Sequence, residues 1–406
     1  MANLLIAQSG GPTAAINATV SGAVEEALSS GKFQKIYGAK NGIKGVLEGR
    51  LVEIGERLAD PRQRHLLETT PAAALGSCRL RLKAPEQDAE KYEKILSVLR
   101  AHDISCFIYI GGNDSMDTVL RLSQYFAEKG IEDIRVMGAP KTIDNDLPVT
   151  DHTPGFGSAA KYIAASFAEI GRDCAVYDMP AVTVVEVMGR NAGWLTASSA
   201  LARRTGGRAP SLIYLPEAPF DAEEFIKDVR EQLEIAPAVV VAVSEGIRDC
   251  DGRYAAESYQ SGATDVFGHR YLAGTAKFLS DLVREKIGCK TRAVELNLMQ
   301  RCAAHLASQT DLEESRRLGA ETVRRALSGE SGRMTVLRRV SETPYRIELD
   351  SVDIAQVANG EKLVPREWIN ERGNDVLPAC VEYIAPLICG EADSVFKDGL
   401  PVHFEI

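Results

Sequence analysis

The sequence has no closely spaced cysteines and no long apolar run. Its eight cysteines are scattered over 406 residues without a C-x-x-C pair, which is typical of reduced thiols and argues against a disulfide framework or a zinc site. No apolar stretch approaches the roughly 18 residues that span a bilayer, and the first residues lack the basic segment of a signal peptide. We therefore expect a cytoplasmic protein that does not enter a membrane.

An excess of positive charge is also absent. The formal net charge at pH 7 is −10, which argues against non-specific binding of nucleic acid but leaves room for a locally basic pocket. Hydrophobic residues make up 45% and charged residues 26% of the chain, as in soluble globular proteins. The length allows two domains, or one large α/β unit with an appendage.

Apolar runs that end in polar turns alternate with helical patterns along the chain. Such alternation predicts a parallel, doubly wound sheet. The turns at the carboxyl ends of its strands are then expected at one edge, where α/β proteins place their chemistry. Three pairs of strand and turn show the pattern: residues 4–8 with 9–11, 106–110 with 111–115, and 134–138 with 141–146.

Further elements are predicted from periodicity and turn signals. Strands at residues 181–187, 211–215 and 238–243 indicate a second α/β half, and strands at 334–340 and 345–349 follow. We interpret residues 248–272 as a surface loop. Helices are predicted at residues 14–28, 85–102, from about 116, at 158–170 with an end at Gly171, at 271–287 and at 318–327.

The turn Lys141-Thr142-Ile143-Asp144-Asn145-Asp146 has the densest chemistry. It places a cation, a hydroxyl, an amide and two carboxylates in six residues. Two carboxylates beside a lysine suit an acid–base site that also handles phosphate or a metal ion. The alternative is an ordinary polar turn whose Asp and Asn side chains cap a helix.

The glycine turns point to anion binding. Gly10-Gly11 would present backbone N–H groups at the start of a helix, and no G-x-x-x-x-G-K-[ST] sequence offers a P-loop instead. In the second turn, Asp114 either caps a helix or contributes to a magnesium–phosphate site. Cations alternate with leucines in residues 79–83, on one side of a strand or an extended loop. They either form a solvated face or bind a ligand, and both alternatives stay open.

Together these motifs resemble the phosphofructokinases, in that family's order and over roughly residues 5–301. The resemblance implies two similar doubly wound α/β domains with the active site in the cleft between them. Residues 1–146 and about 302–360 would bind the phosphoryl donor, and residues 147–301 and about 361–406 the sugar phosphate. The motifs are Ser9-Gly10-Gly11, Leu75-Gly76-Ser77-Cys78-Arg79, Gly111-Gly112-Asn113-Asp114-Ser115, Thr142-Ile143-Asp144-Asn145-Asp146, Val185-Glu186-Val187-Met188-Gly189-Arg190 and Gln300-Arg301.

Two positions resemble the diphosphate-using branch of the family rather than its ATP users. Asp114 stands where ATP users have a glycine that leaves room for the α-phosphate, and its carboxylate would repel that group. Lys141 stands where ATP users commonly have glycine, and its cation would stabilise a phosphate leaving group. The resemblance therefore implies reversible, magnesium-dependent phosphoryl transfer from diphosphate to the 1-hydroxyl of fructose 6-phosphate. An ATP-dependent enzyme and a non-catalytic regulatory subunit are the alternatives.

The resemblance also implies roles for single residues. Asp144 would be the general base, with Thr142 holding the transferring group and Lys141 stabilising its charge. Because Asn113 replaces a usual metal-associated aspartate, magnesium would be held by Asp114, by substrate or through water. One arginine at the sugar site would come from a neighbouring subunit, so we expect a homodimer or homotetramer. Diphosphate would be bound by Gly11, Arg79 and Lys141, and sugar phosphate by Thr142, Ile143, Asp144, Met188, Gly189, Arg190, Glu245, Arg292 and Arg301.

Overall fold

Strands and helices alternate through most of the chain. The computed structural model describes residues 2–257, 274–358 and 360–406. The strands are β1 Ala2–Gln8, β2 Phe33–Ala39, β3 Leu51–Glu53, β4 Ile104–Gly111, β5 Arg135–Pro140, β6 Ala181–Val187, β7 Leu212–Tyr214, β8 Ala238–Ser244, β9 Lys290–Glu295, β10 Arg333–Glu342, β11 Tyr345–Asp353, β12 Phe396–Lys397 and β13 Leu400–Pro401. The helices are α1 Ile16–Ser30, α2 Gly42–Leu47, α3 Gly55–Leu58, α4 Pro61–Glu68, α5 Pro85–Ala101, α6 Asn113–Glu128, α7 Phe156–Cys174, α8 Trp194–Ser198, α9 Ala222–Ile235, α10 Thr275–Ile287, α11 Met299–Cys302, α12 Gln309–Leu327 and α13 Pro378–Ile384.

The chain divides into two compact units. Unit 1 comprises Met1–Ser158, Arg301–Glu361 and Gly390–Ile406, and unit 2 comprises Ala159–Gln300 and Lys362–Cys389. Among the described residues, no helix combines the length and the apolar character needed to cross a membrane.

Unit 1 is built on a seven-stranded sheet in the order β11-β10-β5-β4-β1-β2-β3. The five strands from β10 to β2 run parallel to one another. At the two edges, β11 pairs antiparallel with β10, and β3 pairs antiparallel with β2. Two apolar clusters cover the two faces, one packed with α5 and α6 and the other with α1 and α12. The parallel pairing confirms the predicted arrangement, and burial on both faces explains why these strands are continuous apolar runs.

Unit 2 has a four-stranded parallel sheet in the order β7-β8-β6-β9. Its apolar cluster joins β6, β7 and β8 to the inner faces of α9 and α10. Both units are therefore α/β structures with parallel sheets, as the sequence predicts.

Two helix predictions were wrong in one bound each, the C-terminal end of α7 and the N-terminal start of α12. The helix expected to stop at Gly171 continues to Cys174, since a Cβ at Gly171 would lie 2.5 Å from Ala209 and the glycine instead permits close packing. The helix expected from residue 318 begins at Gln309, with the Ser308 hydroxyl capping the N–H of Asp311. Its Gly319 lies where a Cβ would meet the Thr19 carbonyl oxygen at 2.0 Å.

Two other predictions have a mixed outcome. Residues 76–84, all of them described, are in neither a helix nor a strand, so of the two alternatives for residues 79–83 the structure has the loop and not the strand. The surface loop predicted at residues 248–272 and the predicted start of the helix at 271 fall mainly on residues 258–273, which lie outside the described residues.

Candidate active site

Three turns meet at the carboxyl edge of the unit 1 sheet. The register pairs Gln8 of β1 with Ile110 of β4, and Gly111 of β4 with Pro140 of β5. The strands therefore end level with one another, and the residues that follow them are the motif residues of the sequence analysis.

Lys141, in the third turn, donates hydrogen bonds to the other two turns. Its side chain is only 2% exposed, and its Nζ donates a hydrogen bond of 2.6 Å to the carbonyl oxygen of Gly11. Its backbone N–H donates to the carbonyl of Gly111 at 2.9 Å. A Cβ on Gly10, which has a left-handed φ of +78°, would lie 3.1 Å from the same Nζ, so the turn has to approach the ammonium closely.

Burial lowers the pKa of Lys141 to about 8, against the opposing attraction of Asp144 and Asp146, and the nearby Arg301 lowers it further. The ammonium is thus still charged at neutral pH but has little water to screen it. Such a desolvated cation interacts strongly with negative charge that develops beside it.

The turn that contains Asp144 is braced by residues 153–155. The Asp144 N–H donates to the Thr142 hydroxyl at 3.1 Å. Asn145 has a left-handed φ of +54°, and its buried amide oxygen accepts from the N–H of Thr153 at 3.1 Å. The Thr153 hydroxyl in turn donates to the Thr142 carbonyl at 2.7 Å. These bonds hold the half-buried Asp144 carboxylate at a defined place on the turn.

A cluster of charged side chains around His152 supports residues 153–155. The His152 ring is 2% exposed and lies between Asp151, 2.8 Å from Nδ1, and Glu314, 2.7 Å from Nε2. Carboxylates only accept hydrogen bonds, so both ring nitrogens carry protons. Burial opposes this charge, but the bonds to Asp151 and Glu314 raise the pKa of His152 to about 9. The Asp311 carboxylate also accepts from the Gly155 N–H at 2.9 Å.

Helix α6 starts at the second turn, with Gly112 as its N-cap. Asp114 lies exposed in the first helical turn, where a carboxylate is favourable. The buried Oδ1 of Asn113 has no hydrogen-bond partner among the described residues. An unpaired buried oxygen beside an acid is a suitable oxygen donor set for one side of a Mg²⁺ ion, which keeps several waters and takes few protein ligands when phosphates bind it. Within the described residues, no group of three or more His, Cys, Asp or Glu side chains could hold a metal.

Arg301 lies beside the first turn, and Arg79 interacts electrostatically with Arg301. A Cβ on Gly11 would lie 3.5 Å from Nη1 of Arg301. Burial and then the charge of Arg79 lower the pKa of Arg301, while Asp144 raises it. A guanidinium beside Gly11 that is repelled by a second one favours a bound anion. Arg301 belongs to unit 1, and its predicted role as a 6-phosphate ligand stays a prediction.

In unit 2, the turns after β6 and β8 form one cluster. The Gly189 N–H donates to Glu245 Oε1 at 3.2 Å, and the Ser244 hydroxyl donates to the Gly189 carbonyl at 2.6 Å. A Cβ on Gly246 would lie 1.9 Å from the Arg190 carbonyl oxygen, and Gly189 has a φ of +130°. Two turns that pack this closely position the Met188–Arg190 segment against the Glu245 carboxylate.

Arg292 is not brought to this cluster. It lies within β9 and pairs in register with Thr183 in the middle of β6, several residues before Met188. Gln300, from the Gln300-Arg301 motif, accepts through Oε1 from the Met188 N–H at 3.3 Å, a contact that the sequence did not indicate. The cluster around His152 was not predicted. The adjacent acid Asp151 was the only local signal for that cluster.

The comparisons with known proteins concern nearly the whole chain. Residues 3–326 match the family described as Phosphofructokinase. The chain is 44% identical over 407 residues to the pyrophosphate–fructose 6-phosphate 1-phosphotransferase of Xanthomonas campestris, covering 100% of this chain and 96% of the relative. The protein of that name from Methylococcus capsulatus is 43% identical, with 98% and 94% covered. The crystal structure of pyrophosphate-dependent phosphofructokinase from Marinobacter aquaeolei is similar with a TM-score of 0.88 and 36% identity, covering 100% and 96%.

Proposed function

The chain belongs to the phosphofructokinase family, and we propose that it transfers a phosphoryl group reversibly from diphosphate to the 1-hydroxyl of fructose 6-phosphate. The products are fructose 1,6-bisphosphate and phosphate, a step of glycolysis in one direction and of gluconeogenesis in the other. The observation that carries the proposal is the buried Lys141 ammonium, which bonds to the carbonyl of Gly11. It is supported by the similarity to relatives named pyrophosphate–fructose 6-phosphate 1-phosphotransferase. We place the reaction in the cytoplasm, where cysteines outside disulfides, as all eight are here, are expected.

Unit 1 is the proposed donor-binding domain. Diphosphate lies against the Gly11 backbone, with Arg79 and Lys141 neutralising its charge. The exposed carboxylate of Asp114 repels the additional phosphate that a nucleotide would bring to the start of α6, so a short donor is favoured. Asn113 and Asp114 would hold Mg²⁺, which would neutralise donor charge when bound.

Asp144 is the proposed general base. It takes the proton of the sugar 1-hydroxyl as that oxygen attacks the terminal phosphorus of the donor, and the bridging P–O bond breaks to release phosphate. Thr142 and Ile143 line the acceptor beside it. Lys141 stabilises the negative charge that gathers on the departing phosphate.

Unit 2 is the proposed sugar-phosphate-binding domain. Met188, Gly189 and Arg190 contact the sugar phosphate, and Glu245 accepts hydrogen bonds from sugar hydroxyls. Since Arg292 lies away from this cluster in its own chain, we assign it to the 6-phosphate of a neighbouring copy, together with Arg301 of the copy that binds the sugar. The enzyme is then a homodimer or homotetramer.

Product identification tests this function. Purified protein is mixed with fructose 6-phosphate, diphosphate and Mg²⁺, and phosphorus NMR follows the products. We expect one orthophosphate and one new phosphate ester at carbon 1 for each diphosphate consumed, and the reverse reaction from fructose 1,6-bisphosphate and phosphate. A reaction that needs ATP, or no turnover by this chain alone, would contradict the proposal.

A further inference from the structure

Residues 77–83 cross the donor side of unit 1 without regular secondary structure, yet they are fastened at both ends. At the start, the Ser77 hydroxyl donates to the Gly10 carbonyl at 2.6 Å. At the end, the Tyr92 hydroxyl donates to the Lys83 carbonyl at 2.6 Å. Between these points the segment carries Arg79, a proposed donor ligand, and Arg81.

Arg81 is held by a buried acid. Asp117, in the second turn of α6, is 3% exposed, and its Oδ2 lies 3.4 Å from Nε of Arg81 and 2.8 Å from Nε of Arg121. Arg121 is one turn further along the same helix, so it neutralises the acid without linking it to another segment. The pair with Arg81 therefore ties residues 77–83 to α6, three residues beyond Asp114.

Side chains in residues 78–82 alternate between the apolar cluster and solvent, which places Arg79 on the same side as Arg81. Cys78, Leu80 and Leu82 pack against the apolar cluster of α5 and α6, whereas Arg79 and Arg81 are exposed. In an extended chain, residues two apart point to the same side, so the side that Arg81 faces is also the side of Arg79. Arg79 interacts electrostatically with Arg301, and Arg301 lies beside Gly11.

We propose that Asp117 is a positioning residue for the phosphoryl donor: by holding Arg81 it fixes Arg79 between the Gly11 turn and the first turn of α6. Asp117 does not touch the donor itself. This inference rests on the proposed function and assigns part of its donor affinity to a residue of the helix interior.

The test is a double-mutant cycle on Asp117 and Arg81. In Asp117→Asn, the KM for diphosphate is expected to rise about tenfold, as for a loosened charge-assisted contact, while the KM for fructose 6-phosphate stays within about twofold. Arg81→Met should have the same effect. The double variant should be no worse than either single variant, because both changes break one link.

Asp228→Asn is the matched control. Asp228 is an equally buried carboxylate of unit 2, 4% exposed, bonded by the Tyr214 hydroxyl at 2.8 Å, the Asn374 amide at 2.7 Å and Arg372. Its loss should lower the thermal midpoint without changing the KM for diphosphate. Arg81→Met changes an exposed side chain, so it tests the proposal even if Asp117→Asn folds poorly.

Calorimetric Kd values for diphosphate separate this inference from the proposed function. If the parent protein turned over another donor, the proposed function would fail, but weaker diphosphate binding by Asp117→Asn and Arg81→Met would still support the inference. An unchanged diphosphate Kd and KM in the single variants, equal increases for both substrates, or fully additive effects in the double variant would overturn it.

Discussion

Replacing Lys141 by Met should weaken catalysis and strengthen the fold at the same time. The Nζ ammonium is buried beneath Gly11, where it meets the charge that develops on the leaving phosphate. Removing one preorganised group of this kind costs about 10²–10³ in kcat. We expect that loss at saturating diphosphate, with a smaller change in the KM for fructose 6-phosphate.

The opposite effect on stability follows from the lowered pKa. Lys141 titrates at about 8 in the fold against 10.5 for an ordinary lysine, so between these values the unfolded chain binds the extra proton and stability rises with pH. At neutral pH, keeping the group charged costs on the order of 3 kcal/mol. Met carries no charge that loses hydration, so Lys141→Met should regain part of this free energy. The lost hydrogen bond to the Gly11 carbonyl makes the gain smaller.

Steady-state kinetics and urea unfolding at pH 7 measure both effects. Lys44→Met is the control, because Lys44 is a half-exposed surface residue in an i,i+4 pair with Glu48, and it should alter neither quantity appreciably. A Lys141→Met enzyme with a kcat within about fivefold of the parent would refute the electrostatic role. A marked loss of stability would refute the stated cost of burying the charge.

Three further changes have distinct expected outcomes. Asp144→Ala should lower kcat by about 10²–10⁴, the usual contribution of a general base, and a near-normal rate would remove Asp144 from that role. Asp114→Gly should raise the relative rate with ATP, measured as the ratio of kcat/KM for the two donors, and an unchanged ratio would count against the charge and steric argument. His152 has a pKa raised to about 9 against 6.5, so its stabilising contribution is complete below pH 6.5 and lost as pH rises through 9. Because Lys141 changes stability in the opposite direction above pH 8, the quantity to measure by urea unfolding is the difference in unfolding free energy between the parent and His152→Asn. This difference should shrink as pH rises from 6.5 through 9, and a difference that does not change with pH would contradict the assignment.

The sequence was sufficient to predict the elements whose signal is local. Apolar runs such as residues 106–110 end at glycine turns, and their alternation with helical patterns predicts a parallel sheet with the turns at one edge. In the structure, Gln8, Gly111 and Pro140 do end level with one another. Residues 141–146 combine the lysine and two carboxylates in one turn, so the centre of the candidate site could be located without coordinates.

What could not be predicted depends on distant partners. The first turns of α12 bury polar side chains, Asp311 at 3% and Glu314 at 6% exposure, so apolar periodicity does not mark its start. Those acids are buried because Gly155 and His152 pair with them across 156 and 162 residues of sequence. Likewise, Asp117 has the pattern of a surface helix residue until Arg81 is placed beside it.

Donor choice is the most direct measurement of the central claim. Initial rates are compared for diphosphate and ATP at saturating fructose 6-phosphate and Mg²⁺, each over a range of donor concentrations. With Asp114 and Lys141 in place, we predict a kcat/KM for diphosphate at least about 100-fold above that for ATP, the size of discrimination that a repulsive group can supply. Equal or higher kcat/KM with ATP would contradict the account.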